Sequence, residues 1–480
     1  MSVVVDVSNS SGESKTLAAK LIKEWGLEEA IGEYSPWAIG AEGELFGEAP
    51  QVHLEDVTGI PFVSGVPGVE EYQHRARVRA RDGDFFAAGT RPPEGYEQYC
   101  RDLGLGSPEF LFARGENAMA VASACYEQEE ALKTLQRRAS QTGAIVLHPY
   151  MSIQPVWELA KAISAGTSGV VKVLGPPPPV LWVANDKSYL SRVVEECLSS
   201  SWIVETRRGT RVFEIAAQLS EMVREHRWVG LKRTRCASAM GNQVFESASL
   251  RGKNPQELEK LVEHFLHRTE WCEGEEVLVV EWLETELSPS TQIWIPPKGA
   301  GAPRLDGVYE QILDGPERVF VGSRPSTLPE PVNQALGDAS LQVCKVLQQM
   351  GYVGRCSFDF IVTGDVHGEF EARFTESNGR WGGTSTPMHL VDRLVQGERP
   401  AYIATDLYLP ESLAGMTFLD LKERLGADLF DASTKQGRFV LYNVGPLQKN
   451  RKFDLVSIGE SPEDARFGLD EILAKRLIQG

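Results

Sequence analysis

The chain has 480 residues and a formal net charge of -18 at pH 7, from 49 basic and 67 acidic side chains. A single hydrophobic core stops growing well below this length, so we expect a globular protein of about two or three domains. Hydrophobic content of 42% and charged content of 24% exclude a disordered or coiled-coil chain. The negative charge disfavours a broad surface for nucleic acid or an anionic membrane, so an anionic substrate must meet locally placed lysines and arginines.

The cellular compartment follows from the cysteines and the apolar runs. The seven cysteines contain no CxxC pair, which argues against a disulfide framework and a clustered zinc site and favours the reducing cytoplasm. The amino-terminal stretch lacks a basic region, and no apolar run reaches membrane-spanning length. We therefore expect a cytoplasmic protein without a signal peptide or a membrane anchor.

The first third of the chain alternates short apolar runs with helix-like segments, which is the pattern of an α/β layer. The apolar runs are 3–5, 110–112 and 145–147, and the longest helical segment extends from 117 to about 138. Four successive prolines at 176–179 cannot continue a helix or a central strand, so we place a domain boundary near them. A stiff loop inside one domain is the alternative.

Helix and strand signals continue after the prolines without a fixed repeat period, which argues against a solenoid or a propeller. Segment 188–197 and a segment opening at Pro255 predict helices, whereas 276–283 and 292–295 predict strands. Segments 356–362 and 369–375 predict a hairpin around a turn at 363–365.

Hard oxygen ligands are concentrated on this hairpin. Asp359 stands between Phe358 and Phe360, so the period of a strand directs its side chain to the face opposite the two rings. Glu376 and Asn378 are two residues apart and share one face of an extended segment. Carboxylate and amide oxygens are the ligands that Mg²⁺ prefers, so these three polar residues are candidate metal ligands.

Arg380 follows on the same face and offers a planar fork for phosphate or carboxylate. A donor-rich turn with a glycine pair, at 381–386, comes next. From spacing alone, a surface turn with an ion pair between Glu376 and Arg380 is equally favoured, since so short a pattern recurs by chance.

The order of Asp359, the ExNxR stretch at 376–380 and the glycine pair resembles the carboxy-terminal signature of the ATP-grasp superfamily, in which an acidic residue, a glutamate and an asparagine hold the metals. Segments 185–187 and 228–232 resemble the two segments that carry ATP-contacting lysines. Segment 236–242 resembles the small-residue loop that closes over the phosphates.

This resemblance implies a set of site residues. Lys187 and Lys232 would neutralise phosphate charge, and the end of the strand at 281–283 would serve as the hinge beside adenine. The implied nucleotide-binding residues are Lys187, Lys232, Ser238, Ala239, Met240, Gly241, Asn242, Glu281, Trp282, Leu283, Glu284 and Glu286. Arg380 and Lys232 are the candidate catalytic residues. The candidate substrate-binding residues are Arg355, Gln311, Thr384, Ser385 and Thr386.

A narrower resemblance is to peptide ligases of the pheganomycin-synthesis type, which carry a pre-ATP-grasp domain. It is carried by 66–75, by 187–188 with Arg192, by 240–242 and 288–292, by 311–313 with Gly315, and by 437–440 through 461–465. The chain departs from that pattern in three places. The phosphate loop has one glycine where the family often has two or more, Tyr309-Glu310 stands where a His-Asp pair is expected, and the metal hairpin is longer.

The resemblance implies a protein of the α/β and α+β classes. A Rossmann-like pre-ATP-grasp domain would occupy 1–175, and an ATP-grasp core of two α+β lobes would occupy 176–400. The lid lobe would be 176–285 and the metal-binding lobe 286–400, followed by a small C-terminal domain at 401–480.

The implied activity is an ATP-dependent carboxylate-amine ligase that forms an amide through an acylphosphate, in small-molecule or peptide biosynthesis. It would use ATP with Mg²⁺, or with Mn²⁺ as the alternative metal. Its partners would be carboxylate and amine substrates, a second copy in a homodimer, and neither nucleic acid nor membrane. Carboxylation, thioester formation, phosphorylation of a small molecule and non-catalytic ATP binding are the alternatives.

Three other motifs favour structural interpretations. Segment 10–15 lacks the glycine spacing of a P-loop and predicts a turn with a helix cap. His264 and His267, with Cys272 nearby, predict an exposed helix face rather than a metal site. His148 predicts a structural histidine, with a place in the active cleft as the alternative.

Overall fold

The structure is a computed structural model that describes residues 11–41, 47–236, 241–314 and 319–478. The strands are β1 Gln51–Leu54, β2 Phe85–Ala88, β3 Glu109–Phe112, β4 Ala144–Pro149, β5 Val170–Val173, β6 Thr206–Gly209, β7 Trp228–Arg233, β8 Asn242–Glu246, β9 Val277–Glu281, β10 Pro289–Ile295, β11 Arg304–Asp314, β12 Val319–Pro325, β13 Gly354–Gly364, β14 Phe370–Asn378, β15 Ala401–Tyr408, β16 Phe439–Leu441 and β17 Lys452–Gly459. The α-helices are α1 Ser11–Glu24, α2 Glu28–Gly32, α3 Tyr96–Asp102, α4 Val121–Glu127, α5 Glu129–Thr142, α6 Gln154–Ser164, α7 Pro178–Asn185, α8 Lys187–Cys197, α9 Val212–Glu225, α10 Ser247–Leu250, α11 Pro255–Arg268, α12 Glu330–Gln349, α13 Ser385–Leu394, α14 Phe418–Leu425, α15 Leu447–Asn450, α16 Pro462–Phe467 and α17 Ala474–Ile478.

The first sheet is parallel and follows the order β3-β2-β1-β4-β5. Its strands are short apolar runs flanked by helices, and the buried side chains of β1 and β4 pack with those of α4, α5 and α6. The carboxyl ends of parallel strands share one edge, where α/β sheets usually bind ligands. Glu55, directly after β1, and His148, near the end of β4, therefore approach the same edge.

The second sheet is antiparallel, with the order β6-β9-β7-β8. Along β9, Val277 and Val279 pack into a core with α9 and α11. Leu278 and Val280 point the other way and form a small apolar cluster with Val204. β9 is therefore buried on both faces, with one face against the helices and the other against the cluster of Val204. We call this sheet the lid sheet and the face with the Val204 cluster its cleft face.

The third sheet has the order β14-β13-β10-β11-β12-β15-β17-β16, with α8 and α12 packed against its β10–β14 part. The predicted hairpin at 356–375 is confirmed, and β14 continues beyond the predicted end to Asn378. Strands β15 to β17 extend the same sheet as the hairpin. The limits of the predicted domains, including a C-terminal domain at 401–480, stay predictions.

Local expectations from the sequence need three corrections. The predicted helix at 117–138 is two helices, α4 and α5, which meet at Gln128. The proline run does not exclude a helix: Pro178 and Pro179 open α7, where their missing N–H groups cost nothing. From Ser11 onward the predicted turn at 10–15 is part of α1.

Two local predictions, one for a helix and one for an exposed helix face, agree with the structure. The helix predicted at 188–197 is confirmed as α8, and His264 and His267 are exposed on α11 as expected. The predicted strand at 3–5 lies outside the described residues. Within the described ranges, no helix is long and apolar enough to cross a bilayer.

Candidate functional site

The centre of the site is the pairing of β13 with β14. Asp359 faces Glu376 in register, and a bulge between Asp359 and Phe360 interrupts the ladder next to this pair. The Asn378 side-chain amide donates to the Asp359 Oδ2 atom over 3.1 Å. The three predicted metal ligands therefore lie together, as the period-two argument from the sequence expects.

The two carboxylates repel each other. Burial and the charge of Glu376 raise the pKa of Asp359 to about 6, against hydrogen bonds from Ser290 and Gln311 and the positive charge of Arg380. A cation at this position would favour the charged form of both carboxylates. The donor set and its electrostatics thus fit a divalent metal ion.

Two lysines from different elements converge on this pair. Lys187 is buried at the start of α8, with its Nζ 3.1 Å from the Cys236 carbonyl oxygen and 3.6 Å from Glu376 Oε1. Lys232 lies on β7, on the cleft face of the lid sheet, with its Nζ 5.0 Å from the centre of the Trp282 ring. Desolvation and, next, the charge of Lys187 lower the pKa of Lys232 to about 8. Such a pair of cations is suited to an anionic ligand.

The predicted phosphate loop is described only in part. Ser238, Ala239 and Met240 lie outside the described residues. Gly241 accepts a hydrogen bond from the Arg233 backbone N–H at 2.9 Å, and Asn242 pairs with Lys232 in the ladder. The roles of these five loop residues stay predictions.

The predicted hinge ends β9 at the edge of the apolar cluster of Val204, Leu278 and Val280, which Trp282 and Leu283 also contact. The Glu281 carboxylate pairs with His226 Nδ1 at 3.3 Å. Glu284 is exposed, 3.6 Å from Arg227, and Glu286 is exposed. The adenine-hinge role of 281–283 and the ribose contacts of Glu284 and Glu286 both stay predictions.

Arg380 is held by a residue whose role the sequence did not indicate. Asn185, at the end of α7, accepts hydrogen bonds through its Oδ1 from Arg380 Nη1 at 3.0 Å and from the Gly379 backbone N–H at 3.1 Å. A Cβ atom at Gly379 would lie 2.6 Å from the Asn185 Nδ2 atom, so this contact requires glycine. Glu376 forms its ion pair with Lys187, so the alternative of a Glu376–Arg380 surface pair is not what the structure has.

The predicted substrate residues occupy different environments. Gln311 bonds Asp359, and Arg355 is buried and paired with Asp306. Thr384, Ser385 and Thr386 are buried at the start of α13. Their part in substrate binding stays a prediction.

Two residue sets are weaker site candidates. Glu310 belongs to the Tyr309-Glu310 pair that stands where the family pattern has His-Asp. Its carboxylate is paired with Arg324 at 2.7 Å. Among the described residues, Glu205, Glu225 and His226 bring ligand atoms within 4.8 Å of one another, but Arg207 already neutralises both carboxylates, at 3.1 and 2.6 Å.

The parallel amino-terminal sheet, the four-stranded antiparallel sheet and the eight-stranded sheet with the β13–β14 hairpin match the architecture of the ATP-grasp fold, and the sequence-based prediction of this fold class is confirmed. Residues 73–165 match the family model described as the Pre ATP-grasp domain. No curated protein sequence matches the chain significantly.

Solved structures cover most of the chain at low sequence identity. The ADP complex of N5-carboxyaminoimidazole ribonucleotide synthetase is 14% identical, covers 88% of this chain and 96% of its own, and has a TM-score of 0.52. The corresponding enzyme from Thermus thermophilus is 13% identical, with coverages of 90% and 99% and a TM-score of 0.51. The biotin carboxylase domain of 2-oxoglutarate carboxylase from Hydrogenobacter thermophilus is 12% identical, with coverages of 86% and 87% and a TM-score of 0.51. Likeness at these identities establishes the fold alone.

Proposed function

We propose that this protein is an ATP-dependent ligase that activates a carboxylate as an acylphosphate and transfers the acyl group to an amine. The observation that carries the proposal is the convergence of Asp359, Glu376 and Asn378 with Lys187 at one end of the cleft. Acidic ligands beside a buried lysine are the arrangement that a metal-bound polyphosphate needs.

Asp359, Glu376 and Asn378 would hold Mg²⁺, or Mn²⁺ as an alternative with the same preference for oxygen ligands. The raised pKa of Asp359 supports this assignment, because a divalent cation would relieve the repulsion between the two facing carboxylates. When bound, the metal would neutralise charge on the transferred phosphoryl group.

The lysines and the lid sheet would hold ATP. Lys187 and Lys232 would pair with the phosphates, and the apolar cluster at 204, 278 and 280 would receive adenine. Structures of the same fold are described as complexes with ADP, ATP or MgADP, which supports a nucleotide at this position. One of them is described as a dimer, and homodimer formation by this chain remains part of the proposal.

In the proposed reaction, an oxygen of the acid's carboxylate attacks the γ-phosphorus, and the bond from phosphorus to the ADP oxygen breaks. The products are an acylphosphate and ADP. A neutral amine then attacks the acyl carbon, phosphate leaves, and the amine nitrogen loses a proton. Arg380, held by Asn185, would stabilise charge on the transferred phosphoryl group and on the tetrahedral oxyanion.

A test that needs no knowledge of the amine uses hydroxylamine as the acceptor. The protein, MgATP and hydroxylamine are incubated with pools of carboxylic acids or with bicarbonate, and both ADP and hydroxamate are measured. Hydroxamate from an acid pool supports the ligase. ADP formed with bicarbonate but no acid would instead support carboxylation, the activity class of the biotin carboxylase domain. ATP binding without ADP from any pool would contradict catalysis.

Nucleotide affinity should fall as the pH rises from 7 to 9. Because the pKa of Lys232 is lowered to about 8, its ammonium group loses its charge within this interval and attracts phosphate less strongly. In the Lys232→Arg variant the guanidinium stays charged, so this fall should be reduced to less than about twofold. Isothermal titration with MgADP at several pH values measures the effect, and equal slopes in both proteins would contradict it.

A further inference from the structure

A narrow pocket lies between the end of β4, the start of β13 and the segment that follows the end of β14. Strands β13 and β14 form the hairpin that carries the proposed metal ligands. Its lining includes His148, Tyr150, Arg355, Arg380 and Trp381, and we call it the Trp381 pocket. The Trp381 backbone N–H donates to the Tyr150 carbonyl at 3.0 Å, which fixes the indole against the parallel sheet. The pocket therefore joins the amino-terminal sheet to the reaction centre.

The arginines of the pocket have donors to spare. Arg355 is 8% exposed and pairs with Asp306, but its Nε has no hydrogen-bond partner among the described residues. Arg380 is half-buried and donates through Nη1 to the Asn185 amide oxygen, and within the described ranges its buried Nε is also without a partner. Buried guanidinium N–H groups without a partner favour a ligand that accepts hydrogen bonds, such as an anion.

A further guanidinium lies against the same indole. The Cζ atoms of Arg79 and Arg355 lie 4.8 and 5.2 Å from the centre of the Trp381 ring. Arg79 is 3% exposed, and among the described ion pairs it has Glu55 as its partner, at 2.7 Å. Glu55 also pairs with the buried Arg75, at 2.9 Å, so the two arginines share this carboxylate.

The arginines around the pocket carry more N–H donors than their partners use. Arg79 leaves Nε and Nη1 without a hydrogen-bond partner among the described residues, in addition to the Nε atoms of Arg355 and Arg380. Carboxylates do lie nearby, since Asp454 acts on Arg75, Asp392 on Arg355, and Arg380 on Asp359. The unused donors, and not an excess of charge, therefore favour a ligand rich in acceptors, such as a carboxylate.

The neighbouring histidines, His148 and His389, are neutral, so they do not change the charge around the pocket. The Trp381 Nε1–H group donates to His148 Nε2 over 3.3 Å, and since an indole nitrogen only donates, this imidazole nitrogen carries no proton. Burial, His53 and Arg79 lower the pKa of His148 well below its ordinary value. His389, with its ring 5.4 Å from Trp381, has a pKa lowered to about 3 by desolvation and by Arg393, Arg355 and Arg79.

We infer that the Trp381 pocket binds a second carboxylate of the acid substrate, separate from the carboxylate that is phosphorylated. The inference rests on the proposed function. Arg380 lines the pocket and, in the proposed function, also faces the transferred phosphoryl group, so the pocket begins beside the reacting carboxylate. Arg355 is four residues from Asp359 on β13, or about 13 Å of extended strand, and marks the far side of the pocket. The acid is therefore a dicarboxylate whose second carboxylate lies within this distance of the first, such as a peptide with a second free carboxylate.

The binding test uses linear α,ω-dicarboxylates from glutarate to sebacate and the monocarboxylate of each chain length, with the protein saturated by MgADP. Isothermal titration should show that the best dicarboxylate binds at least about tenfold more tightly than its matched monocarboxylate, as expected for an added charge-assisted pair. Arg355→Met should reduce this preference to less than about twofold. Equal binding of the two acid series would overturn the inference.

Arg304→Met is the matched control. Arg304 bonds the same Asp306, at 2.6 Å, but its side chain is 68% exposed and it is not among the residues that line the pocket. Its removal should leave the dicarboxylate preference intact, and an equal loss in both variants would show that only Asp306 matters and overturn the inference. Arg79→Met replaces Arg355→Met if the latter does not fold, as judged by circular dichroism.

The two proposals fail in different ways. If monocarboxylates yield hydroxamate at rates that no second carboxylate improves, the pocket inference is wrong and the ligase stands. If no acid yields hydroxamate or ADP although MgADP binds, the ligase itself is wrong.

Discussion

The Glu376→Gln variant is expected to form ADP at least about a thousandfold more slowly than the wild type, because losing one metal-binding carboxylate removes several kcal/mol of transition-state stabilisation. Glu376 faces Asp359 in register and also lies 3.6 Å from the Lys187 ammonium group. Glutamine keeps the size of the side chain and removes its charge. The side chain is 29% exposed, so the fold should persist.

Glu371→Gln provides the control for this prediction. Glu371 lies on the same strand, but it is exposed and pairs only with Arg373, at 2.8 Å, among the described ion pairs. ADP formation is measured by a coupled assay at saturating ATP and several Mg²⁺ concentrations, with circular dichroism as the check on folding. Wild-type rates in the folded Glu376→Gln variant, or equal losses in both variants, would rule out the metal assignment.

The pairing of β13 with β14 could be predicted from the sequence because its geometry is local. Alternation around Asp359 and the two-residue spacing of Glu376 and Asn378 follow from strand periodicity, and a short turn fixes which strands pair. The end of β14 was placed too early because Glu376 and Asn378 lack the apolar pattern that marked the preceding residues. A strand of mixed polarity at a sheet edge has no clear limit in its sequence.

The contacts that arrange the site come from distant parts of the chain. Asn185 reaches Arg380 across 195 positions, and His148 reaches Trp381 across 233. These pairs depend on how the parallel sheet packs on the hairpin, which no local spacing encodes. The hypothesis of a structural His148 was correct about its hydrogen bonds, but the residue also lines a pocket beside the hairpin.

Arg380→Met should lower kcat for ADP or hydroxamate formation by about a hundredfold to a thousandfold, the loss expected for a preorganised donor to a developing negative charge. MgADP affinity should change little, because Lys187 and Lys232 hold the phosphates in our proposal. Arg373→Met is the control, since Arg373 lies on β14, the strand that ends two residues before Arg380, and pairs there with Glu371.

Arg380→Lys separates charge from geometry. Asn185 Oδ1 accepts from one nitrogen of the Arg380 fork and leaves the others to reach the substrate, whereas a lysine has one nitrogen for both tasks. We therefore expect Arg380→Lys to keep less than about a tenth of the wild-type rate, which is a remaining loss of more than about 1.4 kcal/mol of transition-state stabilisation. Full recovery by lysine would mean that positive charge alone is needed, and the contact with Asn185 would then have no part in catalysis.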